Sequence, residues 1–194
     1  MYHEWPRSST FWLFLFAIDL DLARVSKDKA CPCGGRLHCA NYPRKPRGVS
    51  DTEAGNALRY RFSFCCACEG CRKRVTPPSV RFLGRRVYLG AVVVLVSAMR
   101  HGPSPRRVRE LSEHFGADRR TIERWQVFWR EHFPQTPFWK AARGRLPLTD
   151  AAKPLPGALL EVFLRGDDLQ REWGLLLRFL SPITTTGRLA DDIA

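Results

Sequence analysis

All seven cysteines of this 194-residue chain lie between Cys31 and Cys71, in the bursts CPCGG and CCACEGC with Cys39 between them. No other feature restricts the fold so tightly, because short-spaced thiols on separate turns are joined either by disulfides or by a metal ion. The number is odd, and no segment marks export. The apolar run FWLFLFAI (residues 11–18) has Glu4 rather than a basic run before it, and Asp19 and Asp21 stand where a small-residue cleavage site belongs. The run is also too short to span a bilayer. It is expected to be a strand or short helix packed on the rest of the fold. The setting is then cytosolic and reducing, where clustered thiols point to metal.

A structural zinc ion wants four tetrahedral thiolate or imidazole ligands, usually as two short-spaced pairs. Cys31 and Cys33 offer one pair, with Gly34 and Gly35 letting the backbone fold around the ion. The second pair comes from Cys66, Cys68 and Cys71. Cys71 belongs to every workable pairing, and Cys66 and Cys68 compete to be its partner. The CxxC spacing of Cys68 and Cys71 leans toward Cys68. RFSF reads as a strand entering Cys65, and neighbours on a strand point to opposite faces, so Cys65 and Cys66 do not both face one metal. Cys65 is assigned to the core. His38 and Cys39 are reserve ligands ranked below Cys31 and Cys33. The bland alternative is a set of buried free thiols.

The chain divides on composition into an apolar lead-in (1–30), a cysteine-bearing module of zinc-ribbon type (31–78) closed by Pro77-Pro78, a three-helix segment (79–133), and a basic linker with amphipathic helices (134–194). The expected class is α+β, with a small β ribbon followed by a mainly α domain. In the third segment VYLGAVVVLVSAMR (87–100) is strand-like by propensity but long for a strand, so it is read as a helix. A second helix opens with Ser104 as N-cap and Pro105 at its first position, and stops at Gly116. Asp118 caps a third, in which Ile122, Trp125, Phe128, Trp129 and Phe133 define one apolar face.

The stretch VRELSEHFGADRRTIERWQV, starting at Val108, fits a helix-turn-helix unit. Such a unit needs apolar residues at its fourth, eighth, tenth, fifteenth and eighteenth positions, and glycine at the turn. Leu111, Phe115, Ala117, Ile122 and Trp125 supply the first, Gly116 the second, and Ser112 a small residue where the helices approach. An ordinary helical hairpin is the plainer alternative, but charge placement argues against it.

Formal net charge is +13. From Ala151 onward five Lys/Arg face six Asp/Glu, so the excess lies in residues 1–150. That balance implies a polyanionic partner. Arg119, Arg120, Glu123 and Arg124 open the third helix, the end that such units insert into the major groove of double-stranded DNA. Arginines there suit guanine edges or phosphates, and Glu123 suits cytosine. Arg106, Arg107 and Arg109 on the second helix, and Arg81, Arg85 and Arg86 in the preceding link, suit phosphate contacts.

GCRKRVTPPSVRF running into an apolar helix, then a helix-turn-helix ending RRTIERW, resembles the N-terminal part of bacterial insertion-sequence transposases and the small zinc-ribbon/helix-turn-helix proteins associated with them. The resemblance covers roughly residues 31–133. It implies binding to element-end DNA in a bacterial, nucleoid-associated setting. In such transposases a separate RNase H-like domain carries three acidic residues. Here only residues 134–194 follow, too few for that domain, and Asp150, Glu161, Asp167, Asp168, Glu172, Asp191 and Asp192 lie in linker or amphipathic-helix contexts. Asp167-Asp168 is expected to open a helix. No catalytic residues are carried over. The expectation is a non-catalytic accessory protein of a mobile element, with a homodimer or a separately encoded transposase subunit as candidate partner and no membrane association. The alternatives are the DNA-binding subunit of a split transposase and a zinc-ribbon adaptor for protein or RNA.

Overall fold

The computed structural model describes residues 9–44, 59–82, 90–98, 104–115, 117–148 and 153–185. The class is α+β. The chain opens with helix α1 (Ser9–Asp28), which is longer than the strand or short helix expected from FWLFLFAI alone. Phe11, Trp12, Leu15, Ile18, Asp19 and Ala23 are buried along one side of it, steps of three or four residues (12, 15, 19, 23) that keep to one helix face. No described helix is long and apolar enough to cross a membrane.

Among the described residues five short strands follow: β1 (Leu37–Cys39), β2 (Tyr42–Pro43), β3 (Tyr60–Arg61), β4 (Phe64–Cys66) and β5 (Arg74–Val75). They form an antiparallel sheet in the order β1-β4-β5 and a second antiparallel pair, β2-β3. In the first sheet Leu37 lies opposite Cys66, and Phe64 opposite Val75.

The remaining described elements are helical: α2 (Gly90–Ser97), α3 (Pro105–Phe115), α4 (Arg119–Val127), α5 (Pro137–Ala142), α6 (Gly157–Phe163) and α7 (Leu169–Leu180). Helix α2 shows why the valine run carried no periodicity. Ala91, Val92, Val93, Val94 and Val96 are all buried, so α2 is covered on every side and α4 and α7 pack against it. Beyond α4 the chain passes through a π turn (Phe128–His132), in which the Phe133 N–H reaches back to the Phe128 carbonyl. Ile122, Trp125, Phe128, Trp129 and Phe133 are all essentially inaccessible, as their spacing predicted. Helices α6 and α7 fold back onto this core through Leu159, Leu160, Trp173, Leu176, Leu177 and Leu180. Gly174 of α7 meets the Phe14 ring so closely that a Cβ there would lie 2.6 Å from it. The division into 1–30, 79–133 and 134–194 therefore does not separate cores. Residues of all three segments, from Phe11 to Ile183, contribute to one large core, beside the small core of the cysteine module.

Asp167-Asp168 does open a helix. Asp168 caps α7, its carboxylate accepting from the Arg171 N–H at 3.0 Å. Glu161 pairs with Lys153, and Glu172 accepts from the Gly166 N–H. Asp150, Asp191 and Asp192 lie outside the described residues.

A buried ion pair joins the strands to the helices. Asp19 of α1 and Arg81 are both fully buried, with Nε to Oδ2 at 2.7 Å. The Asp19 carboxylate also accepts from the Ser79 hydroxyl and the Val80 N–H, each at 2.6 Å. Arg81 donates from Nη2 to the Tyr60 carbonyl at 3.0 Å, and its guanidinium lies against the rings of Phe16, Phe62 and Phe82. The Ser79 N–H in turn donates to the Thr184 hydroxyl beyond α7. Arg81, expected at the DNA surface, is thus a core residue with no solvent face. Only the tertiary placement of Asp19 makes a buried guanidinium tolerable there. Arg85 and Arg86 lie outside the described residues.

Removing one partner leaves an uncompensated buried charge. Asp19→Ala is expected to destabilise the fold by about 3–5 kcal/mol in chemical denaturation, whereas Asp19→Leu combined with Arg81→Met should recover much of that loss. Additive losses in the double variant would show that the two side chains are not coupled.

Candidate metal centre and basic helix face

Four of the cysteines converge. The Sγ atoms of Cys31, Cys33, Cys66 and Cys71 all lie within 4.8 Å of one another. Cys31 and Cys71 are 3.7 Å apart, and Cys33 and Cys66 are 3.4 Å apart. Disulfide sulfurs sit about 2.05 Å apart, whereas four sulfurs around a tetrahedral zinc ion at about 2.3 Å would stand about 3.8 Å from one another. The described cysteines are all free thiols, and the spacing suits metal ligation.

The backbone is arranged for the sulfurs. Each of the four accepts a main-chain N–H from two residues further on: Cys31 from Cys33, Cys33 from Gly35, Cys66 from Cys68, and Cys71 from Lys73. Such bonds favour thiolates. Gly34 takes the left-handed region at φ 79, closing a turn in which its N–H donates to the Cys31 carbonyl at 2.8 Å. A Cβ on Gly35 would stand 2.6 Å from the Cys66 sulfur and 2.8 Å from that of Cys68. On the second turn the N–H groups of Cys71 and Arg72 both donate to the Cys68 carbonyl, and Arg72 is itself left-handed at φ 45.

The thiols do not titrate alike. The Gly35 N–H, then the sulfurs of Cys66, Cys31 and Cys71, bring Cys33 down to about 6. The Cys68 N–H favours a thiolate at Cys66, but burial and the neighbouring Cys33 sulfur outweigh it and push that thiol up to about 11. Cys31 and Cys71 are also raised, their backbone N–H bonds being overcome by burial and by adjacent sulfurs. One thiolate thus suppresses its neighbours. A divalent cation removes that conflict, because its charge lets all four ionise together. The donor set fits a structural metal ion.

The spacing preference for Cys68 is corrected here. Cys66 ends β4 on the same buried face as Phe64, which aims its sulfur at Cys33, while Cys68 sits exposed in the turn and gives its carbonyl to Cys71 and Arg72. Strand alternation overrides loop spacing. Cys65 is corrected too. It occupies the opposite, half-exposed face of β4, where its thiol points to the Arg72 carbonyl at 3.5 Å, so Cys66 rather than Cys65 faces inward. His38 and Cys39 are exposed and lie outside the four-sulfur group.

The candidate nucleic-acid face lies on α4. Asp118 caps it as expected, accepting from the Thr121 N–H at 2.6 Å. Thr121, Ile122 and Trp125 turn inward, and Arg119, Arg120, Glu123 and Arg124 stand exposed on the other side. Arg119 pairs with Glu123 at 2.8 Å, and Arg124 reaches the Thr121 hydroxyl at 3.0 Å. Arg120, Glu123, Arg124, Val127 and His132 line a shallow groove of about 370 Å³. Val127 and His132 were missed from sequence; helical spacing from Arg120 and Arg124 could have found Val127. On α3, Arg106 is exposed and pairs with Glu110 at 3.2 Å, and Arg109 is exposed. Ser112 is also exposed, and Ala117 is fully buried. Gly116 and the side chains of Arg107, Leu111 and Phe115 lie outside what is described.

Comparison of the chain with family models, with curated proteins and with solved structures returns no match.

Cys66→Ser is expected to abolish stoichiometric metal binding, whereas Cys68→Ser should retain one equivalent by elemental analysis; Gly35→Ala should weaken affinity in a chelator competition. Retention by Cys66→Ser with loss in Cys68→Ser would reverse the ligand assignment.

A second expectation concerns Asp118. The Thr121 N–H, then the Thr121 hydroxyl, with Arg124 and Arg120 nearby, hold its carboxyl below the ordinary 3.8. A depressed folded value means the ionised cap stabilises fully above the unfolded value, and that stability is lost as pH falls through the folded one. The Tm difference between the native chain and Asp118→Ala should therefore stay level near neutrality and shrink only below about pH 4. A difference that shrinks above pH 5 would contradict the cap's role.

Proposed function

We propose that the protein is a sequence-specific, duplex-DNA-binding protein of helix-turn-helix type, stabilised by one structural zinc ion and serving as a non-catalytic, transposase-like accessory of a mobile element. The observation that carries this reading is the split character of α4. Its inner side is anchored by Ile122 and Trp125, and its first two turns present Arg119, Arg120, Glu123 and Arg124 outward. A rigid helix with an exposed, guanidinium-rich N-terminal half has the shape and charge that major-groove insertion uses. The formal charge of +13 supplies the long-range attraction. The exposed Arg106 and Arg109 on α3 suit phosphate contacts that set register without reading sequence.

Zinc is the metal that this donor set favours. Thiolates are soft ligands, and a tetrahedral sulfur environment selects zinc or iron over magnesium or calcium. Cys31, Cys33, Cys66 and Cys71 would hold it. The ion would cross-link two turns of a module whose own core is small, contributing stability rather than chemistry. The mobile-element assignment rests on the sequence resemblance across residues 31–133.

Binding to a duplex selected from a random library should fall steeply with salt, log K against log salt having a slope of about −0.9 per phosphate engaged. Arg119→Ala with Arg124→Ala should cost roughly ten- to hundred-fold in affinity for the selected site. Arg171→Ala with Arg178→Ala, two exposed positions on α7, should cost far less. Equal losses in the two double variants would undo the role given to α4, and affinity indifferent to salt would sink the DNA-binding reading.

A further inference from the structure

A fifth thiol stands against the four-sulfur group without belonging to it. The place that a Cβ would take on Gly35 is ringed by three sulfurs, Cys66 at 2.6 Å, Cys68 at 2.8 Å and Cys33 at 3.3 Å. Cys66 and Cys33 are members of the group, and Cys68 is not. Cys68 is nevertheless fixed by the bonds that place two of the ligands. Its N–H donates to the Cys66 sulfur, and its carbonyl accepts from the N–H groups of Cys71 at 3.1 Å and Arg72 at 3.0 Å. Cys65 differs, since it leaves the other face of β4 with its thiol toward the Arg72 carbonyl.

The four ligands are not equally free to leave. Cys31 and Cys66 are buried, Cys71 is half-buried, and Cys33 is exposed. A thiolate that leaves a metal ion has to be solvated or protonated, and stranding its charge in an apolar interior is costly. Cys31 and Cys66 lie in the small core with Leu37 and Phe64, so neither sulfur can withdraw into water. Cys33 can. Cys68 is exposed as well, so water reaches both sulfurs. Two separate observations thus select the same pair. Cys33 is the exposed ligand of the four, and its sulfur borders the gap at Gly35 that the Cys68 sulfur also borders.

We propose that Cys68 is an exchange ligand of the metal site, replacing Cys33, so that Cys31, Cys66 and Cys71 hold the ion together with either exposed sulfur. This rests on the metal reading given above and is independent of DNA binding. In the exchange a metal–sulfur bond forms at Cys68 and one breaks at Cys33. The proton that the Cys68 thiol loses passes through water to the Cys33 sulfur, because only thiolates ligate. Nothing is oxidised or reduced, and four thiolates surround the ion before and after. The site therefore keeps its full sulfur count while one ligand at a time stands free in solvent. The buried sulfurs fix the ion in place, and the exposed pair keeps its outer position exchangeable.

The test uses the full chain in two arms. In the first, cobalt(II) replaces zinc, and the sulfur-to-metal charge-transfer band counts the thiolates. Cys33→Ala should bind one equivalent with the band of four thiolates, whereas Cys33→Ala/Cys68→Ala should show the band of three. A three-thiolate band in Cys33→Ala, or no cobalt bound, would overturn the exchange. In the second arm the zinc-loaded native chain and Cys68→Ala are alkylated with iodoacetamide and mapped peptide by peptide while the metal is retained. Cys33 should be labelled in the native chain and protected in Cys68→Ala to the level of Cys31, Cys66 and Cys71. Equal labelling of Cys33 in the two chains, whether high or absent, would overturn the proposal. If Cys33→Ala does not fold, the alkylation arm decides alone, because Cys68→Ala keeps all four resting ligands. If the native chain takes up no ion, the metal reading fails and the exchange with it; one equivalent bound with no link between Cys33 and Cys68 sinks the exchange alone.

Discussion

The Asp19–Arg81 pair is the interaction on which the arrangement of the rest depends. Two charges removed from water are tolerated only when every lone pair and N–H finds a partner. Here the carboxylate is engaged by the Ser79 hydroxyl, the Val80 N–H and the Arg81 Nε, while the guanidinium also reaches the Tyr60 carbonyl. The pair therefore ties α1, the start of β3 and the segment leading to α2 in one orientation. Apolar contact alone could slide by a turn. A buried ion pair with directional partners cannot, and this sets how the cysteine module stands against the helices.

Helix α1 serves two cores at once. Its first half packs on α7 within the large core, and Ala23 near its end joins Cys31, Leu37, Phe64 and Cys66 in the small core of the module. A core of that size does not hold strands of two and three residues by hydrophobic burial alone. The four sulfurs lie at its edge, so a metal ion there would cross-link what the apolar side chains only begin to order. The same economy of scale explains the N–H bonds to sulfur. In so short a module the turn geometry that places the cysteines also supplies their donors.

Much of the helical half was legible because its signals are local. Asp118, the apolar spacing from Ile122 to Phe133 and the exposed arginines between them each follow from a few neighbouring residues, and each stands where the pattern put it. The valine run is helical over its described part, Gly90–Ser97, and a helix buried on every side needs no periodicity. The cysteine module was legible as a metal candidate but not in its ligand choice. Spacing favoured Cys68, whereas the pleat of β4 turns Cys66 inward with Phe64 and leaves Cys65 half exposed. Arg81 was misread for a related reason. In a basic sequence one arginine looks like another until a carboxylate from a distant helix arrives beside it.

The sequence by itself determined the described helices α3 and α4, the caps at Asp118 and Asp168, the apolar stripe of α4 and the confinement of thiols to one short module, because these depend on residues within a turn or two of one another. The tertiary structure alone decided which four sulfurs meet, that the C-terminal helices complete the core with α1, and that Arg81 lies inside while Arg119, Arg120 and Arg124 remain outside. The physical reason is range. Backbone propensity and capping act over a few residues, whereas desolvation and charge pairing depend on what the rest of the chain brings alongside.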